Sequence, residues 1–99
     1  MAVRFVRTAV VAPGKGQEAA AFAGKMSEYL TGLGMDSHWG MEVGGTYGTI
    51  VWFSDFPDMA GLEASNGKLL ADAGYNDLVN SAATLFNAGS ARDRMFRLM

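Results

Sequence analysis

The chain has 99 residues, of which 49% are apolar and 18% charged, and its formal net charge is -2. This length and composition suit one compact domain over residues 1–99, and the negative charge excludes the positive surface that nucleic acids or anionic membranes require. The absence of cysteine excludes disulfides, thiolate nucleophiles and cysteine-bound metals, and predicts a cytoplasmic location. No apolar run is long enough to cross a membrane.

The first predicted elements are a strand and a helix. Residues 2–11 are rich in Val, Phe and Thr and end at Pro13-Gly14, which indicates a strand followed by a turn. Alternation divides this strand into two faces, one with Phe5, Arg7, Ala9 and Val11 and the other with Arg4, Val6, Thr8 and Val10. Residues 17–33 repeat apolar side chains every three or four positions, which predicts an amphipathic helix that ends with Gly34 as a left-handed cap.

Residues 37–54 predict a β-hairpin. The paired glycines Gly44-Gly45 can adopt the positive φ angles of a tight turn, which we place near residues 44–47. Alternation then separates two faces, one with Trp39, Met41, Ile50 and Trp52 and the other with His38, Gly40, Glu42, Val51 and Phe53. Either face could be the one that the helices leave uncovered.

The last predicted elements are a broken helix and a strand. Asp58 can cap a helix start, and helical spacing continues from Met59 to a break at Gly74, resumes, and ends near Gly89. Residues 92–99 alternate as a final strand. The order β-α-β-β-α-β predicts an α+β, ferredoxin-like antiparallel sheet with helices on one face. The other face would expose an apolar patch, which a symmetric homodimer would cover.

Four segments of the chain carry a resemblance to a known group of proteins: "VVAPGKGQEAAAF", "HWGMEV", "TIVWFSDFPDMAGL" and "LFNAGSARDRMFRL". Together they resemble the dimeric α+β barrel superfamily, which includes small proteins of the antibiotic-biosynthesis-monooxygenase type. The resemblance implies a homodimer in which two sheets form a barrel, with an apolar cavity between each sheet and its own helices. Members use this cavity for oxidation without metal or flavin, for isomerisation, for haem breakdown, or for binding alone.

Two polar residues are candidates for chemistry at such a cavity. His38 could act as a general base or hydrogen-bond donor, or it could pack in the dimer interface. Arg7 lies mid-strand on the face expected to line the cavity, where a buried guanidinium needs an acceptor. That acceptor could be Glu42, Asp93 or a carboxylate of the ligand.

The leading hypothesis is a cofactor-free homodimer that binds a small apolar or amphipathic molecule, whose acidic group would suit Arg7. Arg7 and His38 would anchor the ligand, and Phe22, Met26 and Phe53 would form the apolar wall, although aromatic residues at this spacing also suit a core. One alternative is a cofactor-independent monooxygenase or isomerase with His38 as the catalytic base, so the question of enzymatic activity stays open. Another is a structural dimerisation module without ligand. One histidine and no cysteine make a metal site unexpected.

Overall fold

The computed structural model describes residues 2–45 and 48–99. The elements are β1 (Val3–Val10), α1 (Gly16–Gly32), β2 (Asp36–Met41), β3 (Thr49–Phe56), α2 (Met59–Ala71), α3 (Ala73–Ser81) and β4 (Arg92–Arg97). Within these residues, four strands form an antiparallel sheet in the order β2-β3-β1-β4. The predicted α+β, ferredoxin-like architecture is confirmed, with its second helix divided in two.

Helix α1 presents one stripe to the sheet and ends where the sequence predicts. Its buried apolar residues, Ala19, Ala23, Met26 and Leu30, recur at helical spacing. At its end Gly34 has a positive φ of 89, and the backbone N–H groups of Gly34 and Met35 donate to Thr31 and Leu30 carbonyls. This pair of bonds is the glycine-dependent termination in which the side chain after the glycine also packs back on the helix, as Met35 does.

The core lies between the sheet and the helices. Ile50 of β3 is fully buried against Ala19 and Ala23, whose small side chains let α1 approach the sheet closely. The buried Ser27 hydroxyl of α1 donates to the backbone carbonyl of Ser37 at 3.1 Å, which ties the helix to β2. Among the described residues, no helix combines the length and apolarity needed to cross a membrane.

The register decides which face of the hairpin the helices cover. Trp39 lies opposite Trp52, which lies opposite Arg7, and the Trp52 indole N–H donates to the Ala23 carbonyl of α1 at 3.4 Å. His38 pairs with Phe53 instead, so it lies on the uncovered face. The predicted separation of histidine and tryptophans is confirmed. Thr46 and Tyr47 of the predicted turn lie outside the described residues.

The predicted break and end of the second helix were wrong. The break lies at Asp72 rather than Gly74, because the Asp72 carboxylate accepts the Tyr75 backbone N–H at 2.7 Å and caps α3. Helix α3 ends at Ser81, well before Gly89. Phe86 is not helical but pairs with Val11 as an extension of the sheet.

Candidate ligand-binding site

A cavity of about 390 Å³ lies between the covered face of the sheet and the helices. Its volume falls within the range of about 300–1,000 Å³ that small-molecule pockets occupy. The sheet supplies Arg7 and Trp52, α1 supplies Phe22 and Met26, and α3 supplies Val79. Most of the other lining side chains are also apolar, so the cavity suits a ligand that buries apolar surface.

Three aromatic rings pack against one another in the wall of this cavity. Phe22 meets Trp52 edge to face at a centroid distance of 6.1 Å and Phe86 at 5.9 Å, while Trp52 and Phe86 are 5.7 Å apart. Edge-to-face contacts of this kind are favourable beyond the burial of the rings. The aromatic group therefore fixes the positions of α1, β3 and the segment after α3 relative to one another.

The polar part of the cavity is a bidentate ion pair. The Arg7 Nε and Nη2 atoms donate to the two carboxylate oxygens of Asp93 at 2.7 and 2.8 Å, and Nη1 donates to the Tyr75 hydroxyl at 3.4 Å. Register explains the pair, because Arg7 of β1 lies directly opposite Asp93 of β4. Both side chains are partly exposed, at 41% and 45%.

The pair is ionised at neutral pH. Hydrogen bonding to Asp93 raises the pKa of Arg7, and hydrogen bonding to Arg7 lowers the pKa of Asp93. Burial opposes both shifts but is outweighed by the hydrogen bonds. Asp93 is thus the acceptor that the buried part of Arg7 needs, chosen from the three that the sequence offered.

The structure brings together only some of the residues predicted for the site. Arg7, Phe22 and Met26 all line the cavity. Phe53 borders it, but its ring stacks on His38 at 5.2 Å, with the Arg4 guanidinium 4.9 Å from the ring centroid. Those partners lie on the uncovered face, so the Phe53 ring is not part of the apolar wall.

His38 and Arg7 cannot anchor one ligand in this chain, which corrects that prediction. His38 neighbours Trp39, whose side chain lies on the covered face, and successive side chains of a strand point to opposite faces. The His38 ring is 55% exposed, and its Nε2 lies 2.8 Å from an Asp36 carboxylate oxygen. In the described part of the chain, no group of three or more His, Cys, Asp or Glu side chains could hold a metal ion.

One part of the cavity was missed in the sequence. The segment after α3 contributes Phe86, Asn87, Gly89 and Ser90 to the lining, and the Ser90 hydroxyl accepts the Val10 backbone N–H at 3.1 Å. Helical spacing had suggested a helix up to Gly89. The letters "NAGS" at residues 87–90 are typical of a turn and were the available signal.

Solved structures with the same arrangement are found among bacterial proteins. An uncharacterized NIPSNAP domain protein from Burkholderia xenovorans has 15% identity and a TM-score of 0.82, covering 100% of this chain and 95% of that chain. A NIPSNAP family protein from Agrobacterium tumefaciens has 13% identity and a TM-score of 0.79, covering 100% of this chain and 94% of that chain.

A mutant of SnoaB, a cofactor-independent oxygenase from Streptomyces nogalater, has 14% identity and a TM-score of 0.70, covering 98% of this chain and 92% of that chain. The chain has the ferredoxin-like fold of these proteins. The resemblance to the dimeric α+β barrel superfamily is confirmed at the level of the fold. No family model and no curated protein matches the sequence.

Proposed function

We propose that this ferredoxin-like protein is a homodimer that binds a small apolar or amphipathic molecule in the cavity, without a cofactor. The observation that carries the proposal is the cavity of about 390 Å³ with mostly apolar walls. Binding sites for small molecules combine such walls with a few polar groups that orient the ligand. Here Arg7, Asp93 and Tyr75 are those groups. The cytoplasm remains the expected location, because the chain lacks cysteine.

The uncovered face of the sheet supports the homodimer. It carries an apolar group made of Val6, Val10, Val51, Phe53 and Phe96, with no helix of the described chain packed on it. Val6 lies at its centre, opposite both Phe53 and Arg94 in the register. A second copy of the same face would remove these side chains from water, as sheets do when they pack face to face.

A cofactor-independent monooxygenase or isomerase is the second candidate, supported by the shared fold with SnoaB, a cofactor-independent oxygenase. The geometry favours binding over this reaction. His38, the base expected for the reaction, lies on the opposite face of the sheet. The carboxylate at the cavity, Asp93, has a lowered pKa and is therefore a weak base. The cavity itself argues against a purely structural module.

The cavity is tested by filling it. Val79 of α3 lines the cavity and is 42% exposed, so Val79→Trp should place an indole in the ligand space. Leu70 of α2 is 73% exposed and does not line the cavity, so Leu70→Trp is the matched control. We expect octanol to bind the wild type and the control equally in isothermal titration calorimetry, and Val79→Trp at least about tenfold more weakly. Equal binding by all three proteins would contradict a site in this cavity.

The dimer is tested by charging the centre of the uncovered face. Val6→Lys should give a monomer in size-exclusion chromatography with light scattering, because a buried lysine without a partner is costly. Val43, which is 102% exposed and lies outside the strands, provides the control Val43→Lys. A wild-type protein that is monomeric at micromolar concentration would refute the dimer.

A further inference from the structure

We infer that the cavity selects uncharged ligands, and that Asp93 sets this selectivity by neutralising Arg7. This inference rests on the proposed ligand-binding function and specifies the class of ligand. It also replaces the expectation that an acidic group would suit Arg7. That expectation assumed a guanidinium free to receive a ligand carboxylate.

The hydrogen bonds of Arg7 explain why an acid is disfavoured. A guanidinium has five N–H donors in a planar fork that suits one carboxylate in two-point contact. Asp93 already occupies that fork at 2.7 and 2.8 Å, and Tyr75 accepts a longer bond at 3.4 Å. A ligand carboxylate would reach only the remaining donors, and it would do so beside the like charge of Asp93.

The charge balance of the cavity leads to the same conclusion. Among the described residues that line it, Arg7 and Asp93 are the only two that carry a formal charge at neutral pH. Their charges cancel, so a charged ligand would lose its hydration in apolar surroundings without gaining a counter-ion. A hydroxyl or carbonyl group can instead use the remaining N–H donors of Arg7 or the Tyr75 hydroxyl, and loses less on leaving water.

A second arginine–aspartate pair on the other face of the sheet provides a matched control. Arg4 donates through Nε and Nη2 to the two carboxylate oxygens of Asp55 at 2.7 and 3.0 Å. This pair has the same chemistry as Arg7–Asp93 and also joins β1 to a neighbouring strand. It lies on the uncovered face, away from the cavity, so its removal should leave ligand selectivity unchanged.

The experiment compares three probes of equal chain length by isothermal titration calorimetry at pH 7: octanol, octanoate and octylammonium. We expect the wild type to bind octanol at least about tenfold more tightly than either ion. Asp93→Asn frees the Arg7 charge and should tighten octanoate binding by about tenfold or more. Arg7→Gln leaves the Asp93 charge alone and should tighten octylammonium binding instead. Asp55→Asn should keep the wild-type order of the three probes.

Different failures lead to different conclusions. If octanoate binds the wild type as tightly as octanol, or if Asp93→Asn and Arg7→Gln leave the order of the probes unchanged, the inferred selectivity is wrong while the cavity still binds ligands. If no probe binds the wild type or any variant, the proposed binding function fails, and the inference fails with it. The two variants shift selectivity in opposite directions, so a general loss of folding cannot imitate the expected result. Circular dichroism of each variant verifies its fold.

Discussion

Replacing Phe22 or Phe86 with leucine should weaken the wall of the cavity by an amount that the ring contacts determine. Phe22 packs edge to face on Trp52 and on Phe86, with interplanar angles of 79° and 67°. Phe86 also packs on Trp52, at 65°. Each single variant therefore loses two of these three ring contacts, and the double variant Phe22→Leu/Phe86→Leu loses all three.

The magnitude follows from this count. An aromatic pair contributes about 0.5–1.5 kcal/mol beyond the burial of its surface. Each single variant should lose about 2 kcal/mol of unfolding free energy, which for a chain of this length lowers Tm by roughly 8–16 °C. The double variant should lose about 3 kcal/mol rather than 4, because the contact between Phe22 and Phe86 is counted in both single variants.

The assay is equilibrium urea unfolding of the wild type, both single variants and the double variant, followed by far-ultraviolet circular dichroism. The difference between the double variant and the sum of the single variants isolates the Phe22–Phe86 contact, which we expect to be about 1 kcal/mol. If the two losses add to within about 0.3 kcal/mol, the rings do not stabilise each other and the reasoning is refuted.

Three further predictions concern the ion pair, the end of α1 and the core. Because Arg7 lowers the pKa of Asp93, the wild type should be more stable than Asp93→Asn above the ordinary carboxyl pKa of about 4. This advantage should disappear as pH falls through the lowered pKa, as urea unfolding from pH 7 to pH 2 would show. Gly34→Ala should cost about 1–2 kcal/mol in the same assay, since φ is 89 and no atom would clash. Ile50→Ala should cost about 2–5 kcal/mol, because Ile50 is fully buried; a loss below about 1 kcal/mol would contradict that placement.

Alternation along the hairpin predicted one property of the site and left another undetermined. A period of two is enough to separate His38 from Trp39 and Trp52, and the structure confirms this separation. It does not specify the covered face, because each face carries large apolar residues, such as Trp52 on one and Phe53 on the other. The packing of α1 on Ile50 decides the matter, and that is a contact between distant parts of the chain.

The second half of the chain shows a limit of helical periodicity. Leu85 and Phe86 continue the apolar spacing of the preceding residues, yet Phe86 pairs with Val11 and contributes to the cavity wall. Apolar residues that cover one side of a pocket can repeat like a helix without forming one. For the same reason the partner of Arg7 could only be narrowed to alternatives, since Asp93 is brought to it by the pairing of the first and last strands.

The composition of β4 has a consequence for how two molecules can meet. This strand ends one side of the sheet, all six of its residues are exposed, and four of them, Arg92, Asp93, Arg94 and Arg97, are charged. Charged side chains on an edge strand disfavour the addition of a further strand, which is the usual start of sheet aggregation. The sheet of this ferredoxin-like protein is thereby protected from edge-to-edge growth at β4, and association of two copies is directed to its broad uncovered face.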